Sequence, residues 1–336
     1  MRGSIFAFSR QGCQTARSIM AACPDVIWQG FTMERFGEAD FSAITPECYG
    51  DCFASSEILV FVGSCGIAVR KIAPFVHDKR TDPAVVCVDE LGTFVIPLLS
   101  GHIGGANALA RTIAASLHAT PVITTATDIN RRFSVDTWAT EAGCAISSMK
   151  LAKAVSAAIL ESDIPLKSDF PVVGNLPNGV IFGETGNLGI YLTATDKAPF
   201  ENTLRLIPRR LHLGIGCRRG IEKEAVEKAV AQVFRENGLD FRAVRCAASI
   251  DLKQDEEGLL SFCKEQNIPI RFYTAEELIA LPGAFTPSPF VQKVTGVDNV
   301  CERSALLGAD ELIVKKTACH GVTVAVALEK WEVHFG

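Results

Sequence analysis

Ile58-Leu-Val-Phe-Val-Gly-Ser-Cys-Gly-Ile-Ala-Val-Arg70 passes from an unbroken apolar run, through a turn bounded by Gly63 and Gly66, into an amphipathic stretch. An apolar run this short reads as a strand covered on both faces, and the turn after it opens a helix. The same pattern repeats on either side. Strands are expected over 5–8, 58–62, 84–88, 94–98 and 121–124, with helices over 11–22, 66–75 and 104–117. Alternation of this kind implies parallel strand pairing with helices on both sides of the sheet. Asp89-Glu-Leu-Gly-Thr93, between two of the strands, is a turn in which Gly92 supplies the permissive backbone.

Residues 133–210 carry a weaker, glycine-rich signal, with helices expected over 137–142 and 149–161 and strands or turns over 171–178 and 187–192. Alternation restarts at Leu211. Strands are expected over 211–215, 243–250, 270–273, 312–316 and 322–328, and helices over 222–236, 255–266, 275–281 and 300–307. The proline-rich stretch 282–289 is a lid candidate. The expected fold class is α/β: N- and C-terminal three-layer domains (1–132 and 211–336) with largely parallel sheets, joined by a small middle domain (133–210).

Composition narrows the function. A net charge of -5 gives no general attraction to nucleic acid, so none is expected as a partner. No apolar run approaches the roughly 20 residues that span a bilayer, so no membrane association is expected either. The 12 cysteines include no Cys-x-x-Cys pair and sit largely in apolar runs, as Cys87 does, which suits small buried hydrophobes in a reducing cytoplasm. Cys48 and Cys52 lack a second ligand pair, so no zinc site is expected.

Four segments share one design, in which glycines and small polar residues follow a strand and open a helix. They are Val62–Arg70, Leu99-Ser-Gly-His-Ile-Gly-Gly-Ala-Asn107, Thr124-Thr-Ala-Thr-Asp128 and Leu213-Gly-Ile-Gly-Cys-Arg-Arg-Gly220. Unpaired amides at a helix start favour anions, and ligands of open α/β sheets lie beyond the carboxyl ends of strands. This nominates Gly63, Ser64, Gly66, Ser100, Gly101, Gly104, Gly105, Asn107, Thr124, Thr125, Gly214 and Gly216 as binding residues. The cations beside them, Arg70, Lys71, Lys79, Arg80, Arg218 and Arg219, suit carboxylate or phosphate. Lys253 and Glu302 join them from the later loops. Solvated surface charge and packing glycine are the plain alternatives for each. Neither the dinucleotide fingerprint nor a Walker loop is present.

His102, in a loop rather than on an apolar helix face, is the leading proton-transfer candidate and is favoured as a base over Ser100 as a nucleophile. Asp89, Glu90 and Asp128 lie at strand ends from which they could orient His102 or a water, or could equally serve as turn and cap residues.

Taken in order, Gly66–Arg70, Asp82-Pro-Ala-Val-Val86, 99–107, 122–128, 213–220, Ser249-Ile-Asp-Leu-Lys253, Val300-Cys-Glu302 and Gly321-Val-Thr-Val-Ala-Val326 resemble the cobalamin biosynthesis protein G family, the cobalt-precorrin-5A hydrolases. The resemblance spans nearly the whole chain. It implies a cytoplasmic enzyme of anaerobic cobalamin synthesis that opens the δ-lactone of a cobalt tetrapyrrole and releases acetaldehyde. It further implies no resident cofactor, because cobalt arrives within the substrate. The Gly104 and Gly105 amides would then serve as oxyanion donors. Other cobalamin-pathway enzymes and a second copy of the chain are compatible partners. The rival readings are a non-catalytic carrier of corrinoid intermediates and a nucleotide-dependent α/β enzyme.

Overall fold

The computed structural model describes residues 1–78 and 81–335, so Lys79 and Arg80 lie outside the described residues. Chain contacts divide the protein into two compact units, Met1–Thr137 and Trp138–Gly336.

The first unit is built in the order β1 (Arg2–Ala7), α1 (Arg10–Ala22), β2 (Ile27–Thr32), β3 (Ser42–Ala43), α2 (Cys48–Ser55), β4 (Ile58–Val62), α3 (Cys65–Ile72), β5 (Ala84–Val88), β6 (Phe94–Leu99), α4 (Ala106–Leu117), β7 (Thr120–Pro121), α5 (Ala126–Ile129) and the start of α6 (Val135–Glu141). Its seven strands are ordered β3-β2-β1-β4-β5-β6-β7. Successive side chains of the central strands point to opposite faces, which makes three layers. Ile5, Val60, Val62, Val86 and Val88 pack with Cys13, Ala16 and Ile19 of α1 and Ala110 and Ile113 of α4. Phe6, Leu59, Phe61, Val85 and Cys87 meet Tyr49, Cys52 and Phe53 of α2 and Ala68 and Ile72 of α3. Both faces are covered, which is why β4 and β5 read as unbroken apolar runs.

Strands β1 to β5 are parallel, but β6 is antiparallel to β5, and β7 follows the direction of β6. The turn between β5 and β6 requires this. A parallel connection needs a dozen or more residues, and only 89–93 are available. Leu99, at the end of β6, therefore pairs with Val85 near the start of β5. The segments that follow β6 and β7 lie on the edge where β4 and β5 begin.

The second unit continues with β8 (Cys144–Ile146), α7 (Met149–Ala158), β9 (Ile164–Ser168), β10 (Val172–Val173), β11 (Val180–Phe182), β12 (Leu188–Leu192), β13 (Asn202–Pro208), β14 (Leu211–Cys217), α8 (Lys223–Glu236), β15 (Val244–Ile250), α9 (Glu257–Glu265), β16 (Ile270–Tyr273), α10 (Ala275–Ala280), α11 (Pro289–Thr295), α12 (Val300–Leu306), β17 (Glu311–Cys319), β18 (Val322–Leu328) and β19 (Val333–His334). Two five-stranded sheets result, β11-β9-β12-β13-β8 and β16-β15-β14-β18-β17, with β10 and β19 forming a small pair. Strands β9, β11, β12 and β13 are parallel, as are β14, β15 and β16, while β8, β17 and β18 bring antiparallel pairings. The protein is thus mixed α/β with mostly parallel sheets. Among the described residues, no helix is long and apolar enough to cross a membrane.

Candidate active site

The segment after β6 is shaped by its own backbone. Ser100 takes a left-handed conformation (φ 56°), and its hydroxyl donates to the Asp82 carbonyl at 3.0 Å. A Cβ at Gly104 would collide with the Ser100 side chain, so only glycine fits there. Three amides are used inside the loop: Gly105 N donates to His102 O (2.9 Å), Ala106 N to Ser100 O (3.1 Å) and Asn107 N to Gly101 O (2.9 Å). The expected Gly105 oxyanion donor is consequently engaged by the loop itself, and the Ser100 hydroxyl is buried on a backbone carbonyl rather than presented to substrate.

This loop delivers His102 into a polar cluster. Its Nε2 lies 3.1 Å from Asp128 Oδ2, and its Nδ1 lies 3.3 Å from Asp136 Oδ1. The Ser134 hydroxyl is 3.2 Å from Nδ1, and the Thr127 hydroxyl is 3.4 Å from Nε2. Asp128 gathers four donors. Besides His102 they are Asn107 Nδ2 (3.0 Å), Arg111 (2.5 Å) and the Thr125 hydroxyl. Asn107 Nδ2 also reaches Thr125 Oγ1 at 3.0 Å, which ties α4 to the start of α5. Thr124, one residue earlier, is exposed.

The electrostatics follow from these contacts. Hydrogen bonding to Asp136 is the largest influence on His102. Together with Asp128 it overcomes burial and raises the imidazole above its ordinary pKa. Burial works against charge on Asp128, but donors from Thr125, Arg111 and His102 outweigh it and hold the carboxyl below its usual range. A carboxylate on each ring nitrogen favours the doubly protonated form of His102. A base needs an unoccupied nitrogen lone pair, which this arrangement does not present.

Asp136, Ser134 and Arg111 were not anticipated from the sequence. A signal for Arg111 exists: Asn107 and Arg111 are four residues apart on one helix face and meet the same carboxylate. Ser134 and Asp136 flank the start of α6 and read as ordinary capping chemistry.

Other nominated residues are placed elsewhere. Asp89 and Glu90 sit at the β5–β6 turn, on the opposite edge of the sheet from His102. Asp89 accepts from Phe94 N (2.5 Å) and Leu91 N (3.3 Å). Glu90 accepts the Ser9 hydroxyl (2.6 Å), and its carbonyl accepts that of Thr15 (2.6 Å). They brace the turn and do not orient His102. Gly63, Ser64 and Gly66 share that edge, with Gly63 N donating to Val88 O at 2.7 Å. Arg70 and Lys71 are exposed in the last turn of α3, where the Lys71 ammonium lies 4.7 Å from the Tyr49 ring centroid.

In the second unit, Gly214 and Gly216 lie within β14 rather than in a loop, paired with β18 through Cys217. A Cβ at Gly214 would strike the Cys301 carbonyl of α12, and one at Gly216 would meet Thr323 at 2.6 Å. These glycines permit close packing instead of cradling an anion. Arg219 is held by Asp255 at 2.8 and 2.9 Å, while Arg218 is exposed beside Gly321. Lys253 pairs with buried Glu256 at 3.2 Å. Glu302, only 1% exposed, accepts from Thr286 N, Thr286 Oγ1 and Lys316 N at 2.7–2.8 Å. It anchors the 282–289 stretch, and Arg303 pairs with Asp298 rather than with Glu302. Among the described residues, no group of three or more His, Cys, Asp and Glu is arranged to hold a metal ion.

Comparison with known proteins covers both halves of the chain. Residues 47–128 match the family model described as Cobalamin synthesis G N-terminal, and residues 211–327 match the one described as Cobalamin synthesis G C-terminus. The chain is 32% identical to the cobalt-precorrin-5A hydrolase of Priestia megaterium over 97% of its own length and 94% of that protein's. It is equally 32% identical to the cobalt-precorrin-5A hydrolase of Salmonella typhimurium, over 97% of each chain. A probable cobalt-precorrin-5A hydrolase of Methanocaldococcus jannaschii is 29% identical over 80% of this chain and 85% of its own.

Proposed function

This chain belongs to the cobalamin synthesis G family, and we propose from that membership that it hydrolyses cobalt-precorrin-5A to cobalt-precorrin-5B. The observation that carries the reading is the match of both family models together with end-to-end similarity to two proteins named for that reaction. Water adds to the lactone carbonyl, the acyl–oxygen bond breaks, and a carboxylate and an alcohol result. The alcohol then loses its proton as the carbon–carbon bond to the macrocycle breaks. Acetaldehyde leaves, and the electron pair stays on the ring carbon, which takes up a proton. Cobalt enters and leaves as part of the substrate.

His102 is our candidate for proton handling at the lactone. Its two carboxylate contacts favour a donor role, in which the imidazolium stabilises the developing oxyanion and protonates the leaving oxygen. The base role expected from the sequence would require the ring to leave Asp128 or Asp136. Among the described residues of this unit, Arg111, half exposed beside Asp128, and the exposed Arg70 and Lys71 suit the acetate and propionate arms of the macrocycle.

Anaerobic incubation of the purified chain with cobalt-precorrin-5A, followed by acetaldehyde measurement, tests the function. One acetaldehyde released per substrate consumed is expected, with many turnovers per chain. Stoichiometric binding without acetaldehyde would replace the enzyme with a carrier.

A further inference from the structure

The two carboxylates on His102 are not equivalent. Asp128 Oδ2 faces Nε2 while Oδ1 faces Arg111, so its charge is shared with a guanidinium that is half exposed. It also holds Asn107 and Thr125. Its geometry is that of a hub joining α4, α5 and the His102 loop. Asp136 differs in place and burial. It lies in the first turn of α6 with its side chain 4% exposed, and Thr137 N (3.1 Å) and the Ser134 hydroxyl (3.4 Å) donate to the oxygen that faces Nδ1. Its neighbours Phe133 and Val135 are buried, at 8% and 0% exposure, which fixes the backbone that carries it. A buried carboxylate on a fixed backbone sets both the plane of a histidine ring and which nitrogen carries the proton.

We infer that Asp136 is a positioning residue for His102, orienting the ring and keeping a proton on Nδ1 so that Nε2 is the atom that meets the reacting oxygen. This rests on the donor role proposed above for His102. When substrate displaces the shared Asp128 contact, the Asp136 contact remains and the ring keeps its aim. Among the described residues, the charged groups in contact with the ring include Asp136 from α6 and Asp128 from α5, with Arg111 of α4 acting through Asp128. The direction of the His102 shift agrees, with Asp136 as its leading cause.

The test uses the full chain. The six histidines are followed by NMR of their ring protons, and the His102 signal is assigned by its loss in His102→Gln. Asp136→Asn should lower the His102 titration midpoint by about one pH unit. It should also reduce kcat by about tenfold or more with KM within about twofold, and move the alkaline limb of kcat to lower pH. Asp136→Glu should restore most of both. An unchanged midpoint in Asp136→Asn overturns the inference. If that variant does not fold, a wild-type His102 midpoint at or below about 6.5 overturns it instead. A midpoint that moves while the alkaline limb stays still supports the positioning role of Asp136 and removes the donor role of His102.

Discussion

Residues 99–107 and 213–220 are written in nearly the same alphabet, yet they fold into different things. Both follow apolar residues, both are rich in glycine and both precede a helix. In the first, Gly104 and Gly105 let the chain coil tightly enough to turn His102 inward toward Asp128 and Asp136. In the second, Gly214 and Gly216 stay in β14, where α12 and Thr323 occupy the space a side chain would need. Glycine supplies room in both cases. The difference lies in what that room permits, a tight coil that brings His102 to two carboxylates in one and close packing against α12 and Thr323 in the other.

The sharpest way to break this contrast is at Gly214. Gly214→Ala forces a methyl against the Cys301 carbonyl and should destabilise the second unit by about 3 kcal/mol, at the upper end of overpacking costs. Thermal or urea unfolding measures this. A melting curve superimposable on wild type would show that β14 and α12 can part freely and would return the segment to the loop class.

A smaller effect is expected from the titration of the cluster. The raised pKa of His102 means that its contribution to stability is complete below the ordinary imidazole value of about 6.5 and is lost as pH rises through the folded value. Asp128, held low, contributes fully above about 3.9, and that contribution is lost as pH falls through its own folded value. The melting-temperature gap between wild type and His102→Gln should therefore be widest near pH 5–6, on the order of those two reference values, and should narrow on the alkaline side. A gap constant from pH 5 to 9 would mean that the carboxylates do not hold His102 charged. The smallest effects concern the exposed arginines. Arg219→Ala, which loses only a surface pair with Asp255, should leave both melting and KM unaltered. Arg218→Ala should raise KM by about fivefold with kcat unchanged if that guanidinium meets a substrate carboxylate. Equal KM values for the two variants would remove the distinction between them.

Much of the fold was legible because burial on both faces leaves a plain mark. Ile58–Val62 and Ala84–Val88 are apolar throughout and fall where expected, as do Ile270–Tyr273 and Val322–Leu328. The strands that escaped have interrupted patterns. Ile27–Thr32 contains Gln29 and Gly30, the latter packed against Phe41, and Ile164–Ser168 contains Pro165 and Lys167. Strand direction at β6 was implicit in the length of the 89–93 turn, yet its consequence is non-local. It moves His102 to one edge of the sheet and leaves Asp89 and Glu90 on the other. Of the candidate site, His102, Asn107, Thr125 and Asp128 come together, since all four belong to the two segments that end on that edge. Asp136 was illegible because a carboxylate in the first turn of a helix has a sufficient local explanation, and only the tertiary fold brings it to Nδ1.

The mechanism proposed for lactone opening rests on the His102 cluster. Its most direct test is single-turnover acetaldehyde release from cobalt-precorrin-5A by wild-type and His102→Ala protein, with substrate binding measured alongside. We expect the variant to bind substrate normally while its barrier rises by about 2–4 kcal/mol, a loss of roughly thirtyfold to nearly a thousandfold in rate. Wild-type release from His102→Ala would rule out that mechanism and place the chemistry elsewhere in the chain.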